Sequence, residues 1–409
     1  MLKRLRVLQV NNYSRIRGGA DRYFQDLSKA LSVSHDVLMF STQADTSIGD
    51  LVNGDLFWSD LPRELDLSGN SITDMARYFW RADVKEKLAK CIQSFRPHVI
   101  HCHIYHGQLT PAVISVAKEF CIPVVQTVHD FKLICAVDSM LKHGSFCDDC
   151  QGKHFSKCIR SKCNRNSRLR SMLSAFECEF RRHLVSLSDI EKYIFVSNYQ
   201  AELHLDVFPD IDAVVIPNFT QRPSMVESSS GEDLFYPTRL EEGKGIDRLI
   251  QVYQYAKAKG IHLPQCVIAG GGSKEVHYHT QVHELGLDRS IKFVGLLGVR
   301  ELDRYYEQCL AVLNFSSLNE TFGLTVIEAF SHGKPVFTSR DGALAGLLSE
   351  NYLGGSIDFS QDLPCLLRDF SDYLGALTVR REKILQHYSD NFSPEVHVEK
   401  VVECYLEVI

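Results

Sequence analysis

Several features that would set this chain apart from ordinary globular proteins are missing from its sequence. No run of about 18 apolar residues occurs among the 409, so we expect no membrane-spanning helix. The net charge is −6, which argues against a protein that binds nucleic acid through overall basicity. The apolar stretch Leu5–Val10 is too short for the core of a secretion signal. Apolar residues at 44% and charged residues at 23% exclude the disordered and fibrous classes.

A disulfide scaffold is also not expected. The chain has thirteen cysteines, an odd number, and most of them stand singly inside apolar runs, where a thiol behaves as a small buried hydrophobe. A chain of this length can bury a large core without covalent cross-links. We therefore predict a reducing, cytoplasmic environment.

Short strand-like runs alternate with helical stretches along the whole chain. The strand candidates are Leu5–Val10, His98–His101, Pro123–Thr127, Tyr193–Val196, Ala213–Ile216, Leu234–Tyr236, Cys266–Ala269, Ile291–Val294, Ala311–Phe315 and Pro335–Thr338. Between the first two, Gly19–Leu31 has the apolar periodicity of a helix. Short, nearly all-apolar strands separated by helices predict an α/β protein whose parallel sheets are covered on both faces. Two halves of about five strands each predict two doubly wound domains.

The stretch Pro217–Asp233, rich in Pro, Ser and Asn, is the predicted domain boundary. We expect an N-terminal domain over residues 1–218, with a cysteine-rich basic insert at about 135–183, and a C-terminal domain over residues 219–390. The closing stretch Ser393–Ile409 has the signals of a helix, with Ser393 as its cap and Pro394 at its first position.

The segment Asn319–Phe330 carries the strongest chemical signal. It follows a strand and predicts a helix that begins near Gly323, whose free amide groups favour an anion such as a phosphate. Glu320 precedes this helix and Glu328 lies within it, so the two carboxylates could hold hydroxyl groups at opposite ends of a ligand. On spacing alone, both could equally be solvent-facing side chains.

A second signal lies at Tyr236–Ile246, after the first strand of the second half. Arg239 and Lys244 could neutralise a diphosphate there, although both could also be ordinary surface cations. Glycine-rich turns follow strands at Gly18–Gly19 and at Gly270–Ser273, and neither matches the dinucleotide-binding fingerprint or the P-loop.

Taken together, these segments resemble the retaining GT-B glycosyltransferases of family four, the glycosyl transferases group 1 type. The matching pieces are the Gly18–Gly19 turn, PHVIHCH, TVHD, VSN, VIPN, the turn from Arg239 to Lys244, AGGG, FVG, ETFGLTVIEA and GKPVF. The resemblance implies the GT-B fold, two doubly wound Rossmann-like domains facing across a cleft. It also implies that the C-terminal domain provides most of the nucleotide-sugar site and that residues 391–409 cross back to the N-terminal domain.

The resemblance further implies the roles of individual residues. Arg239 and Lys244 are expected to hold the donor diphosphate, Glu328 the ribose hydroxyls and Glu320 the sugar hydroxyls. The catalytic set would then be His129, Glu320, Arg239 and Lys244. The other donor-binding positions implied are Gly18, Gly19, Gly271, Phe322, Gly323, Leu324, Thr325 and Glu328. Thr238 departs from the family pattern, which usually has glycine before the arginine.

The implied reaction moves a hexosyl or N-acetylhexosaminyl group from a UDP- or GDP-sugar to a saccharide or lipid-linked acceptor, with retention of configuration, as in polysaccharide biosynthesis. Fixed cations and helix amides would stabilise the departing diphosphate, so catalysis needs no metal or other cofactor. Two alternatives are a sugar-nucleotide epimerase or hydrolase of the same fold and a non-catalytic nucleotide-sugar-binding protein. No nucleic-acid partner is expected.

The predicted insert has its own chemistry. Cys147, Cys150, Cys158 and Cys163 could form a tetrahedral structural zinc site, with reduced thiols or disulfides as alternatives. Between residues 142 and 170, eight lysines and arginines stand against two aspartates. We therefore predict contact with an anionic membrane surface or a lipid-diphosphate acceptor, peripheral to the inner membrane face, with a solvated basic loop as the alternative.

Overall fold

The protein is described by a computed structural model over residues 4–44, 53–65, 72–223, 231–375 and 380–409. The chain forms two compact units, which we call unit 1 (Met1–Asn218 with Pro394–Ile409) and unit 2 (Phe219–Ser393). Residues 224–230, which belong to the predicted boundary stretch, lie outside the described residues.

The described part of unit 1 is built around a parallel sheet. The unit's strands are β1 (Arg6–Tyr13), β2 (Asp36–Thr42), β3 (Val99–Cys102), β4 (Val124–Val128), the hairpin β5 (Leu141–Lys142) and β6 (Ser145–Phe146), β7 (Lys192–Phe195) and β8 (Ala213–Val215). The strand order in the parallel sheet is β2-β1-β3-β4-β7-β8. Its first seven helices are α1 (Gly19–Ser32), α2 (Ile72–Phe79), α3 (Ala82–Phe95), α4 (Ala112–Glu119), α5 (Ser156–Ser161), α6 (Arg168–Leu184) and α7 (Asn198–Leu205).

Unit 2 also contains a parallel sheet among its described residues. Its strands are β9 (Leu234–Pro237), β10 (Cys266–Ala269), β11 (Ile291–Gly295), β12 (Ala311–Asn314), β13 (Val336–Ser339) and β14 (Gly354–Ile357), in the order β11-β10-β9-β12-β13-β14. Its helices are α8 (Ile246–Ala258), α9 (Glu275–Glu284), α10 (Val299–Gln308), α11 (Leu324–Ser331), α12 (Leu363–Gly375) and α13 (Arg381–Asn391). The last helix, α14 (Pro394–Val408), packs in unit 1 against α1.

The prediction of two doubly wound parallel α/β sheets is confirmed. The central strands β1, β3, β4, β9 and β10 are buried almost throughout, because helices cover both faces of each sheet. Helix α14 begins at Pro394 as predicted, but the Ser393 hydroxyl donates to the Ser389 carbonyl at 2.8 Å. Over the described ranges, no helix has the length and apolarity that crossing a bilayer requires.

Candidate functional site

The turn after β9 depends on close contact between backbones. Gly245 ends this turn with φ at 82°, and a Cβ there would lie 2.2 Å from the Phe315 carbonyl oxygen. The Tyr236 hydroxyl donates to the Lys244 carbonyl at 2.6 Å and accepts from the Phe315 amide at 2.8 Å. A residue with a side chain at position 245 would push β9 away from the end of β12. Gly245 therefore fixes the position of the Lys244 backbone in the turn beside the sheet edge.

Lys244 and Glu320 form an ion pair at this sheet edge, with 2.7 Å between Nζ and Oε1. The Ser316 hydroxyl lies 3.0 Å from the same carboxylate oxygen. Both charged side chains are partly exposed, so the pair is accessible to a ligand. The Glu320 carbonyl accepts from the Ala343 amide at 3.0 Å, which fastens the loop before α11 to the loop after β13.

Helix α11 begins directly after this pair, as predicted. Gly323 is its N-cap residue at φ 128° and ψ 66°, a conformation that favours glycine. Phe322 is buried, whereas Leu324 and Thr325 in the first turn are partly exposed. The first amide groups of α11 have no acceptor within the helix, so they provide a partial positive charge close to Glu320.

Glu328 lies one turn further along α11 and is positioned by a tyrosine. The Tyr306 hydroxyl, from α10, donates to Glu328 Oε2 at 2.9 Å, and its ring stacks on His332 at a centroid distance of 4.9 Å. The tyrosine is buried while the carboxylate is partly exposed. Because the buried Tyr306 hydroxyl donates to one of its oxygens, the Glu328 side chain is restricted to one rotamer, and its carboxylate is held at the surface.

Two further predicted donor residues sit on neighbouring turns. Arg239 is exposed, and the amide of the next residue, Leu240, donates to the Gly271 carbonyl at 3.0 Å. Gly271 follows β10, the strand paired with β9. The structure therefore brings Arg239, Lys244, Gly271, Glu320 and the start of α11 to the carboxyl edge of one parallel sheet, where doubly wound proteins bind ligands.

In unit 1, His129 follows β4 and belongs to a hydrogen-bonded chain. His129 Nε2 lies 3.1 Å from His103 Nδ1, and His103 Nε2 lies 2.7 Å from Gln9 Oε1. An amide oxygen only accepts, so His103 carries its proton on Nε2 and accepts at Nδ1. His129 must then donate from Nε2, which leaves Nδ1 as the accepting nitrogen of the neutral ring. Burial favours this neutral form and lowers the pKa of His129 to about 4.

Helix α14 contributes two side chains to the same region. Tyr405 OH lies 2.6 Å from His101 Nδ1, and His101 Nε2 lies 2.7 Å from Thr127 Oγ1. His397 donates from Nδ1 to the Pro217 carbonyl at 2.8 Å, so its Nε2 accepts from the Tyr23 hydroxyl at 2.7 Å. These contacts give His101, His103 and His397 ordinary protein partners.

The other predicted positions of unit 1 are Gly18 and Gly19, at the start of α1, and Asp130 follows His129 in the chain. His106 Nε2 is 3.2 Å from Asp130 Oδ2, and although burial opposes it, this imidazole and the neighbouring Lys132 hold the pKa of Asp130 below its usual range. Gly18 precedes α1 and its amide donates to the Asp21 carboxylate at 3.2 Å, while Gly19 opens the helix. The side-chain amide of Asn11, on β1, also donates to Asp21, at 2.9 Å.

The cysteine prediction is not supported. Cys147, Cys150, Cys158 and Cys163 line one small cavity together with Cys135. Among the described residues, however, no three His, Cys, Asp or Glu side chains are arranged to hold a metal ion. All thirteen cysteines are free thiols. Burial raises the pKa of Cys150 and of Cys158 to about 12, which favours protonated thiols packed in the small apolar core between α5 and α6.

Several residues that shape these sites were missed in the sequence. Ser316 contacts Glu320, Tyr306 orients Glu328, and Gln9 and Tyr405 complete the histidine chain. Tyr306, Gln9 and Tyr405 stand on different elements from their partners, up to 396 positions apart in the chain. Ser316 instead lies in the same loop as Glu320, four residues before it. Only the position of Ser316, just after a strand, could have drawn attention to it.

Comparisons with known proteins agree with this architecture. The family model "Glycosyltransferase Family 4" matches residues 17–221 and "Glycosyl transferases group 1" matches residues 218–362. A sucrose synthase of Nitrosomonas europaea is 27% identical over 187 residues, which cover 41% of this chain and only 23% of that protein.

Solved structures give the same fold over nearly the full length. A glycosyltransferase of Rickettsia africae aligns with a TM-score of 0.70 at 16% identity, covering 99% of this chain and 98% of that one. An Anabaena protein in complex with UDP and glucose aligns with a TM-score of 0.65 at 16% identity, covering 99% and 100%. The GT-B prediction is confirmed, and the chain belongs to glycosyltransferase family four, of the glycosyl transferases group 1 type.

Proposed function

We propose that this glycosyltransferase uses a nucleotide-diphosphate sugar, a UDP- or GDP-sugar, as its donor, and that unit 2 binds it. The observation that carries the proposal is the pairing of Lys244 with Glu320 beside the start of α11. This juxtaposition puts a cation, a carboxylate and free helix amides within one short stretch of sheet edge. A sugar diphosphate needs those groups, since its phosphates are anionic and its sugar presents hydroxyls.

In this proposal Lys244, Arg239 and the amides of Phe322, Gly323, Leu324 and Thr325 stabilise the diphosphate. Glu320 accepts hydrogen bonds from the sugar hydroxyls, and Glu328, oriented by Tyr306, accepts them from the ribose. Gly271 provides close backbone approach. Gly18, Gly19 and His129 of unit 1 are proposed as further donor contacts, with His129 neutral and accepting at Nδ1.

The proposed chemistry is electrostatic. As the glycosidic bond breaks, positive charge grows on the sugar ring and negative charge on the departing diphosphate. Fixed cations and amides stabilise the transition state more than the ground state, so they lower the activation free energy of the transfer. The chain's own groups supply this positive charge, and we propose metal-independent transfer with retention of configuration to a saccharide or lipid-linked acceptor, in polysaccharide biosynthesis.

Donor screening tests the proposal directly. We expect one class among UDP-, GDP- and ADP-sugars to raise the melting temperature, because a ligand that binds only the folded state stabilises it by mass action. The shift should disappear in the double variant Arg239→Ala, Lys244→Ala and persist in Lys292→Ala, an exposed lysine on β11. Absence of a shift with all three classes would contradict the proposal.

A turnover assay then separates transfer from hydrolysis or epimerisation. Release of the nucleoside diphosphate should depend on an added saccharide or lipid-linked acceptor and should be unchanged by a metal chelator. Release at the same rate without any acceptor would favour the hydrolase alternative. The anomeric configuration of the product, measured by NMR, tests retention.

A further inference from the structure

Helix α6 in the cysteine-rich insert exposes an apolar face to solvent. Leu169, Met172 and Phe176 are 68%, 49% and 56% exposed, and they lie at positions i, i+3 and i+7 of one helical face. Phe180, four residues further on, continues this face and is partly exposed. We call Leu169, Met172, Phe176 and Phe180 the apolar stripe. Soluble helices normally bury such a stripe.

The opposite side of α6 is firmly anchored in unit 1. Ala175 and Cys178 are buried in the small core shared with Phe155 and Cys158. Glu177 is also buried and lies 3.0 Å from the Lys132 ammonium group. The helix therefore cannot turn its apolar stripe inward without exposing this core and breaking a buried ion pair. The outward position of the stripe is built into the fold.

A third aromatic side chain extends the apolar stripe onto the neighbouring helix α2. Phe79, at the end of α2, contacts Phe176 and Phe180 with ring centroids 5.1 and 5.7 Å apart. Phe176 keeps 56% of its surface exposed in spite of this contact. The patch is consequently broader than one helix and remains open to solvent.

The same insert presents a cluster of surface cations. All are exposed, and none forms an ion pair with another described residue; they are Lys153, Lys157, Arg160, Lys162, Arg165, Arg168 and Arg170. No Asp or Glu occurs between Asp149 and Glu177. In a chain of net charge −6, this is a strongly positive segment beside an exposed apolar face.

We propose that the apolar stripe inserts into the interface of an anionic lipid bilayer while the flanking cations contact the lipid headgroups. Interfacial helices combine these two features, an apolar face of Phe and Leu and a Lys- and Arg-rich border. The sequence predicted only that the basic insert contacts an anionic membrane surface through its charges. The present proposal adds the apolar side chains that enter the bilayer. Its one link to the proposed function is that a bilayer position favours the lipid-linked class of acceptor.

Two other occupants fit less well. In a symmetric contact between two copies, the same unpaired cations would face each other, which opposes association. A nucleic acid would engage the cations but would leave Leu169 and Met172 without apolar contacts. An anionic bilayer satisfies both the charge and the apolar surface.

Vesicle sedimentation of the full chain, without donor or acceptor, tests this inference. We expect binding to phosphatidylcholine vesicles that contain phosphatidylglycerol at least about tenfold tighter than to phosphatidylcholine alone. Raising the salt from about 0.1 M to about 1 M should weaken that binding, because the Debye length falls from about 10 to about 3 Å. Equal binding to both vesicle types would overturn the proposal.

Matched variants separate the two parts of the surface. The triple variant Leu169→Ser, Met172→Ser, Phe176→Ser should lose at least about tenfold in vesicle affinity. Its control, Val33→Ser with Val276→Ser, changes two other exposed apolar residues and should bind normally. Wild-type affinity in the α6 variant would overturn the insertion of the apolar stripe.

The cations are tested in the same assay. Arg160→Gln, Lys162→Gln and Arg165→Gln together should weaken binding about a hundredfold, from about fivefold for each cation. A control that neutralises the exposed Lys292 and Lys400 should change binding little. A loss of about 25-fold in this control, again about fivefold for each cation, would mean that only overall charge matters and would overturn the assigned surface.

A separate optical measurement guards against variants that fold poorly. Relative to the wild type, which emits from Trp58 and Trp80, Phe176→Trp should give an additional blue shift in emission on addition of anionic vesicles and none with duplex DNA. An emission shift with DNA and none with vesicles would overturn the lipid assignment. The assignment would also be overturned if the triple serine variant of the apolar stripe changed only the oligomeric state. Because no sugar nucleotide is present, these failures leave the donor proposal untouched.

Discussion

Lys244 Nζ lies 2.7 Å from the Glu320 carboxylate, although the two residues are 76 positions apart in the chain. Strand β12 and the turn after β9 bring them together, since both end at the same edge of the unit 2 sheet. The ion pair holds the ammonium group in place before any ligand arrives. Such preorganisation lets a cation stabilise developing charge without a reorganisation cost during the reaction.

The first prediction concerns Arg239 and Lys244, the two cations proposed to hold the donor diphosphate. Arg239→Ala and Lys244→Ala should each lower turnover by about 10²–10³, which corresponds to about 3–4 kcal/mol of lost transition-state stabilisation. Steady-state kinetics with the donor found by thermal shift measures this loss. Lys292→Ala serves as the control on an exposed strand residue and should keep wild-type turnover. Near-normal turnover in both site variants would contradict the diphosphate assignment.

The second prediction uses the contact between Tyr306 and Glu328. Glu328→Gln should raise the KM for the donor by about tenfold or more, since it weakens charge-assisted hydrogen bonds to the proposed ribose hydroxyls. Tyr306→Phe keeps the ring stacked on His332 but removes the 2.9 Å hydrogen bond, so it should raise KM by a smaller factor. An unchanged KM in Glu328→Gln would rule out the ribose contact.

Local sequence signals predicted most of the fold. Nine of the ten strand candidates differ from the structure by no more than two residues at either end, and Cys266–Ala269 is matched in full. Two strands of the parallel sheets were missed, β2 and β14, and both are edge strands. The two-residue hairpin strands β5 and β6 were missed as well. Gly354 and Gly355 weaken the strand pattern of β14, since glycine contributes no side chain to a packed sheet.

The site was less accessible to sequence reasoning. Residues in turns after strands, such as Lys244 and Glu320, could be identified because parallel strands end at a common edge. The contacts that orient them could not, since Tyr306 and Gln9 lie in ordinary helical and strand patterns. The zinc prediction is not supported: spacing along the chain does not fix the directions of four thiols, and Cys150, Cys158 and Cys163 pack here against apolar neighbours.

The third prediction tests the backbone contact at Gly245. Gly245→Ala should destabilise the protein by about 2–4 kcal/mol, because the new Cβ would add a steric clash with Phe315 to the cost of a left-handed conformation. Gly260→Ala is the matched control: its φ is 67°, but a Cβ there meets nothing within 4 Å. The control should cost only about 1 kcal/mol. Urea unfolding compares the two, and equal losses would mean that the Phe315 contact relaxes easily.

The fourth prediction concerns pH and the histidine His397 on α14. Burial lowers the pKa of His397 to about 3, while the unfolded chain should titrate near its usual value of about 6.5. Between these values the unfolded state binds a proton that the folded state does not. The free energy of unfolding should therefore fall as the pH falls below about 6.5, by about 2 kcal/mol at pH 5 from this residue alone.

The variant His397→Gln isolates this contribution. Its amide can still donate to the Pro217 carbonyl and accept from the Tyr23 hydroxyl, but it does not titrate. Tyr23, His129 and Lys400 surround the group and remain in both proteins, so their effects cancel in the comparison. Urea unfolding at pH 7.5 and pH 5 should show a smaller loss of stability in the variant than in the wild type. His143→Gln, which removes an exposed histidine, should follow the wild type, and parallel behaviour of all three proteins would show that burial does not hold His397 neutral.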